Sequence, residues 1–151
     1  MRTSQASEKV SEKAAGMTIV VATDGSRAGT AAVRFAGRLA APDPIGELIV
    51  LNVDGGPSPE SCRRVLDLAR RTLGTHPGRV RLEAIDAASA GAVPEAISRA
   101  ADRVDADLIV VGSEGRDSLD EWVVGGTALR LLYLAKRPVT VVRPARRRRP
   151  A

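Results

Sequence analysis

Apolar positions along this chain follow two alternating spacings. Unbroken apolar runs at Met17 to Thr23 (MTIVVAT), Leu48 to Val53 (LIVLNV), Asp107 to Gly112 and Pro138 to Val142 predict strands buried on both faces. Val80, Leu82, Ala84 and Ile85 predict a further strand, third in chain order, weaker in pattern and expected near a sheet edge. Between the strands the apolar positions recur at helical spacing. Ala31, Ala32, Phe35, Ala36 and Leu39 predict a helix over 28–39. A second is expected near 60–73, a third over 94–104 with Pro94 in its first turn, and a fourth at about 128–136. Pro42, Pro44 and Gly46 close the first helix, and the Gly55-Gly56-Pro57-Ser58-Pro59 cluster leads into the second. Strand and helix in regular alternation imply an α/β fold: a parallel sheet with right-handed crossovers and helices on both faces. Ligands of such sheets bind beyond the carboxyl ends of the strands, where the strand order switches. Asp24, Val53 and Gly112 stand at such ends.

Composition sharpens this picture in two places. Hydrophobic residues make up 44% of the chain but aromatics only 2%, so the core must be built from Val, Leu, Ile and Ala. The net charge of +5 is concentrated in Arg146 to Arg149, leaving the remainder nearly neutral. The chain divides into a polar tail expected to be disordered (1–16), one folded domain (17–144) and an Arg-rich tail (145–151). The Arg run reads as a solvated tail: the body is nearly neutral and too poor in aromatics to stack bases, so nucleic acid is not an expected partner. No apolar run has the form of a signal peptide or the length of a membrane span, and the expected setting is soluble and cytoplasmic.

The chemistry concentrates in one stretch, VVGSEGRDSLDEWVVGGTALRLL. A strand runs into Gly112 and Gly115, and a second glycine pair, Gly125-Gly126, precedes Thr127 at the start of a helix. Glycines let backbone N–H groups approach a ligand closely, and a helix N-terminus adds partial positive charge, so such a loop can hold phosphate. The same glycines also serve a tight strand-to-loop turn that the fold needs without any ligand. Ser26, in Asp24-Gly25-Ser26, is expected to be an N-cap. His76 is the only histidine and Cys62 the only cysteine. A Ser-His-Asp triad and a metal site therefore have no support, and Cys62 is expected to be partly buried and inert. Trp122 is expected to be a packing residue.

With these positions in place, the chain resembles the universal stress protein family over residues 17–143. The resemblance rests on VVATDGS, LIVLNVD, ADLIVVGSEGR and RPVTVVRP in this order, and on the pattern G-x2-G-x9-G met by Gly112, Gly115 and Gly125. It implies a three-layer, doubly wound sandwich of the adenine nucleotide alpha hydrolase-like type, with a five-stranded parallel sheet of order 3-2-1-4-5. It also implies a homodimer through the last strand, Val139 to Val142, and a stress-response or regulatory role with protein partners. For ATP or another adenine nucleotide, with magnesium, the implied contacts are Ala22, Asp24 on the ribose, Val53 against the base, and Gly112, Gly115, Gly125, Gly126 and Thr127 at the phosphates. Asp24 has an alternative reading as a turn residue that caps the following helix. No catalytic residue and no metal ligand is implied, and slow ATP hydrolysis rests on the resemblance alone.

Two departures from the family pattern bear on the ligand. The pattern has Ser or Thr directly after the third glycine, where this chain has Gly126. Thr127 then falls one position late, where it is expected to cap the helix. A lost hydroxyl bond to a charged acceptor is worth roughly 1.5–3 kcal/mol. The second departure is charge: Glu114, Asp117, Asp120 and Glu121 stand against Arg116 within 112–126, a net of −3. A carboxylate about 4 Å from a phosphate opposes binding by roughly 4 kcal/mol at an effective dielectric of 20. These departures favour, as an alternative, a dimeric interaction module of the same fold that binds no ATP.

Overall fold

The aliphatic runs form the strands they predict. In the computed structural model, which describes residues 16–54, 58–114 and 124–145, these are β1 (Thr18–Ala22), β2 (Glu47–Asp54), β3 (Arg79–Asp86), β4 (Leu108–Gly112) and β5 (Val139–Val142). They pair in parallel in the order β3-β2-β1-β4-β5, so all carboxyl ends lie on one edge of the sheet. The order switches at β1, which separates β2 from β4. β3 and β5 are the outer strands, as the weaker pattern of β3 anticipates.

Helices α1 (Arg27–Ala40), α2 (Pro59–Leu73), α3 (Val93–Arg103) and α4 (Gly126–Leu134) cover the sheet. Side chains alternate across a strand, and both faces of the central strands are buried in consequence. Ile19, Val21, Leu48, Val50 and Val110 pack with Ala32, Val33 and Ala36 of α1 and Ala69 of α2. Val20, Ala22, Ile49, Leu51, Ile109 and Val111 pack on the opposite face with Ile97 and Ala101 of α3 and Leu131 of α4. Unbroken apolar strands are the sequence signature of this three-layer arrangement. Small residues on α1, including Ala28, Ala32 and Ala36, are fully buried and let that helix lie close to the sheet.

Two polar ties fix α4 and β5 relative to α3. Glu95 pairs with Arg130 at 2.5 Å, joining α3 to α4. Its own backbone N–H and then Arg130 hold the Glu95 carboxyl below the ordinary range. Arg137, just before β5, reaches Asp102 at 3.2 Å and Asp105 at 2.6 Å, which hold its guanidinium charged. His76 ties the loop before β3 to α1, its Nε2 lying 2.9 Å from the Gly37 carbonyl while Nδ1 accepts from the Gly78 N–H.

Two features depart from expectation by more than a residue. The fourth helix covers 126–134 rather than 128–136. It starts as soon as Gly125 supplies an extended N-cap, and it stops before Arg137, whose helical conformation is disfavoured by Pro138. A short 3-10 turn, Ala90–Ala92, precedes α3 and carries too few residues to show a period in sequence. Among the described residues no helix is long and apolar enough to cross a membrane. Of the expected tails, 1–16 and 145–151, all but Gly16 and Ala145 lie outside the described residues, as do Gly115 and Trp122.

Candidate functional site

The carboxyl ends of β1, β2 and β4 open into a cleft of about 610 Å³. Its β1 side is a chain of local hydrogen bonds. Asn52 of β2 donates from Nδ2 to the Thr23 carbonyl at 2.8 Å, holding the exit of β1 against β2. The Thr23 hydroxyl accepts from the Gly25 N–H, and Asp24 Oδ1 accepts from the Ser26 N–H at 2.9 Å. Gly25 has φ of +78°, a left-handed conformation that glycine adopts without strain, so the Asp-Gly-Ser turn fits its sequence. Ser26 then caps α1 as expected, its Oγ accepting from the Gly29 N–H at 3.0 Å.

On the β4 side, the Ser113 N–H donates to the Val142 carbonyl and the Gly125 N–H donates to the Ser113 carbonyl at 2.6 Å. These bonds pin both ends of the segment that links β4 to α4. Ser26 Oγ also lies 3.4 Å from the Glu114 carbonyl, joining the two sides of the cleft. Gly112 is held close to α1: a Cβ there would stand 2.6 Å from the Ala28 carbonyl carbon and 2.8 Å from the Gly29 nitrogen. The absence of a side chain at 112 is therefore required by packing, whatever the cleft holds.

Gly126 is a different case. A Cβ at Gly126 would meet no atom of the described residues within 4 Å. Gly125 is the N-cap of α4, and among the described residues no side chain caps that helix. The expected cap at Thr127 is thus corrected: Thr127 lies inside the first turn, one residue past the helix start, where its hydroxyl cannot take the N-cap position. The first-turn N–H groups of α4 have no acceptor within the helix, and Gly125, Gly126, Thr127 and Ala128 line the cleft.

Of the residues singled out in the sequence, Ala22, Asp24, Val53, Gly112, Gly125, Gly126 and Thr127 all line this one cleft; Gly115 lies outside the described residues. Glu114 lines it too. Residues that periodicity did not single out also line the wall, among them Asn52, Asp54, Ser61, Ala90 and Val93, and so does Ile97 from the apolar stripe of α3. Asn52 had one available signal, a buried amide interrupting the apolar run LIVLNV. The described lining carries three carboxylates, Asp24, Asp54 and Glu114, and neither lysine nor arginine. Behind the β2 side, Cys62 is buried with its Sγ 3.6 Å from Asp54 Oδ2. Burial, then the bond to Asp54 and the charges of Asp54 and Asp86, push the thiol pKa up. Cys62 is therefore a thiol at neutral pH, more deeply buried than expected. No cluster of three or more His, Cys, Asp or Glu among the described residues is arranged to hold a metal ion.

An open cleft at the switch point of a 3-2-1-4-5 parallel sheet defines an α/β domain of the adenine nucleotide alpha hydrolase-like fold. A family model described as the universal stress protein family matches residues 17–143, and the chain belongs to that family. No curated protein matches the chain. Among solved structures, a universal stress protein in complex with cAMP is 28% identical, covering 87% of this chain and 99% of its own, with a TM-score of 0.64. A protein from Mycobacterium tuberculosis H37Rv is also 28% identical, covering 85% of this chain and 95% of its own, at a TM-score of 0.56. The universal stress protein from Archaeoglobus fulgidus in complex with dAMP shares the fold at 22% identity, covering 85% and 98% of the two chains, with a TM-score of 0.61.

Proposed function

We propose that the cleft binds an adenine nucleotide and that the protein is a non-catalytic, cytoplasmic stress-response or regulatory dimer. The observation that carries this reading is the first turn of α4, which faces the cleft with a glycine N-cap and no capping side chain. A helix N-terminus of this kind suits a phosphate. The cAMP complex of the 28%-identical relative supports an adenine ligand. In this reading Asp24 accepts from ribose hydroxyls, Ala22 and Val53 wall the base, and Gly112, Gly125, Gly126 and Thr127 surround the phosphate, with Gly115 continuing the loop. ATP with magnesium is the ligand the family pattern suggests. The protein's residues would then bind the nucleotide while the metal neutralises its phosphates.

Asp24 Oδ1 accepts from the Ser26 N–H in the turn, and a carboxylate can accept several hydrogen bonds at once. Calorimetry with adenine nucleotides tests the reading: micromolar binding that falls at least about tenfold in Asp24→Ala is the expected result. Affinity unchanged in that variant removes the ribose role.

Dimerisation would use the outer edge of β5, whose four residues are only half-buried in the single chain. Sedimentation of the purified chain is expected to give a dimer, and a monomer at micromolar concentration would contradict that part of the proposal. A second reading, a dimeric interaction module without nucleotide, is favoured by Gly126 and by the carboxylates of the cleft. Silence in calorimetry with every adenine nucleotide would select it.

A further inference from the structure

We propose that the outward face of α1 and α2 is a basic docking surface for duplex DNA, held through its phosphates. Outside Arg146 to Arg149 the summed charge of the chain is nearly neutral, but the fold segregates it. Arg34 and Arg38 of α1 and Arg63, Arg64, Arg70 and Arg71 of α2 are all exposed. The acids of these two helices are Glu60 and Asp67, so the six arginines leave a net of +4. None of the six makes an ion pair or a side-chain hydrogen bond among the described residues. Arg27, also on α1, is set apart because it bonds the Ala145 carbonyl. The side of α3 and α4 is different. There Arg103 pairs with Glu83, Arg130 with Glu95, and Arg137 with Asp102 and Asp105.

The fold gathers the six into one patch. Each of the two helices crosses from the carboxyl edge of a parallel sheet back to its amino edge, so they run side by side in one direction. Both pack on the same sheet face, and they meet near their C-terminal ends, where a Cβ at Gly37 would stand 2.6 Å from Leu73 Cδ2. Neighbouring helix axes lie roughly 8–10 Å apart, and Arg63 to Arg71 spans roughly 12 Å of helix. Helix chemistry accounts for only part of the pattern. Arg38, Arg70 and Arg71 stand in last turns, where a cation complements the helix dipole. Arg34, Arg63 and Arg64 do not. Asp67 lies at pairing distance in sequence from all four arginines of α2, yet one carboxylate cannot neutralise four cations.

The chemistry of the face selects its occupant. Arginine forks bind phosphate through paired hydrogen bonds. Phe35, the aromatic residue of these helices, packs against the core, so no platform is offered for stacking single-stranded bases. Leu39, at the end of α1, is the only exposed large apolar side chain of the two helices. The face thus lacks the apolar centre of a specific protein interface and the apolar stripe of a membrane-inserted helix. A duplex needs neither. It carries one charge per roughly 1.7 Å of axis, or about seven phosphates along 12 Å counted over both strands. An extended peptide with an acid at every residue offers only about four carboxylates in that length.

The test is duplex binding by the full chain. Fluorescence anisotropy of a short labelled DNA duplex is followed at low salt and then over a salt series. Micromolar binding is expected, with log affinity falling against log salt at a slope of about −4 to −5, as about five phosphates lose their counterions. Arg63→Gln, Arg64→Gln, Arg70→Gln and Arg71→Gln together are expected to weaken binding at least about tenfold and to flatten the slope by about 3. Gln keeps the helix propensity of α2. The same four positions changed to Lys should keep the slope, and a slope lost with Lys as with Gln would overturn its electrostatic origin. No duplex binding at low salt, or affinity and slope unchanged by the four Gln substitutions, would overturn the proposal. So would binding abolished by changing only Arg146 to Arg149 to Gln, which would place the contact on the tail. Tighter binding to phosphatidylserine vesicles or to polyglutamate than to the duplex would assign the face to a membrane or an acidic protein instead, and overturn it as well.

Discussion

Of the helices that begin at the cleft, α1 and α4 begin differently. At α1, Ser26 accepts from the Gly29 N–H, Asp24 accepts from the Ser26 N–H, and Gly112 packs against the first turn. The turn before α1 is satisfied by the protein's own atoms. At α4, Gly125 is the N-cap, and among the described residues no side chain caps the helix and none crowds Gly126. Both starts carry the same partial positive charge, but of the two only that of α4 lacks a side-chain cap among the described residues. The difference separates a glycine that packing requires from a glycine at a helix start whose first turn lines the cleft. Sequence spacing cannot make that distinction, because both read as one glycine motif.

Substitutions can break the comparison, and the largest effect is expected at the packed side. Gly112→Ala forces a Cβ against the α1 backbone and should cost about 3 kcal/mol, read as a lowered denaturation midpoint. A cost below about 1 kcal/mol would show that β4 and α1 are looser than described. Ser26→Ala removes the α1 cap and should cost about 1 kcal/mol in the same assay. Gly126→Ser should change stability by less than about 0.5 kcal/mol, since nothing crowds that position, yet it should tighten ATP binding by up to tenfold through a new hydroxyl donor. A Gly126→Ser protein that unfolds easily would place the α4 start in a tighter setting.

The smallest effect concerns Cys62. Its pKa is raised in the fold, so the unfolded chain loses the thiol proton first as pH climbs. The contribution of Cys62 is complete below the ordinary thiol pKa of about 8.5, and it is lost as pH rises from there through the folded value. Native alkylation at neutral pH should accordingly be slow compared with denatured protein. Equal rates would mean an exposed thiolate.

The fold was legible because its determinants are periodic. MTIVVAT and LIVLNV are apolar on both faces, and this anticipates a sheet covered on both sides. The strand order came from the family resemblance, since periodicity gives no order. At the site, Asp24, Val53 and Gly112 were placed by their positions at strand ends, a rule of topology. Asp54, Ser61 and Ala90 were not, because they reach the cleft only through how β2, α2 and the 3-10 turn are arranged in space. Thr127 was misplaced for a local reason: Ser or Thr is the commoner cap, and here glycine takes the position in extended conformation.

The central claim is that the start of α4 is where the ligand's phosphate binds. Backbone amide NMR during a titration with cAMP tests it most directly. The account predicts the largest shifts at the N–H groups of Gly126, Thr127 and Ala128, with Arg27, Ala28 and Gly29 of α1 nearly unmoved. Shifts centred on α1, or saturating binding that leaves the α4 amides unchanged, would contradict it.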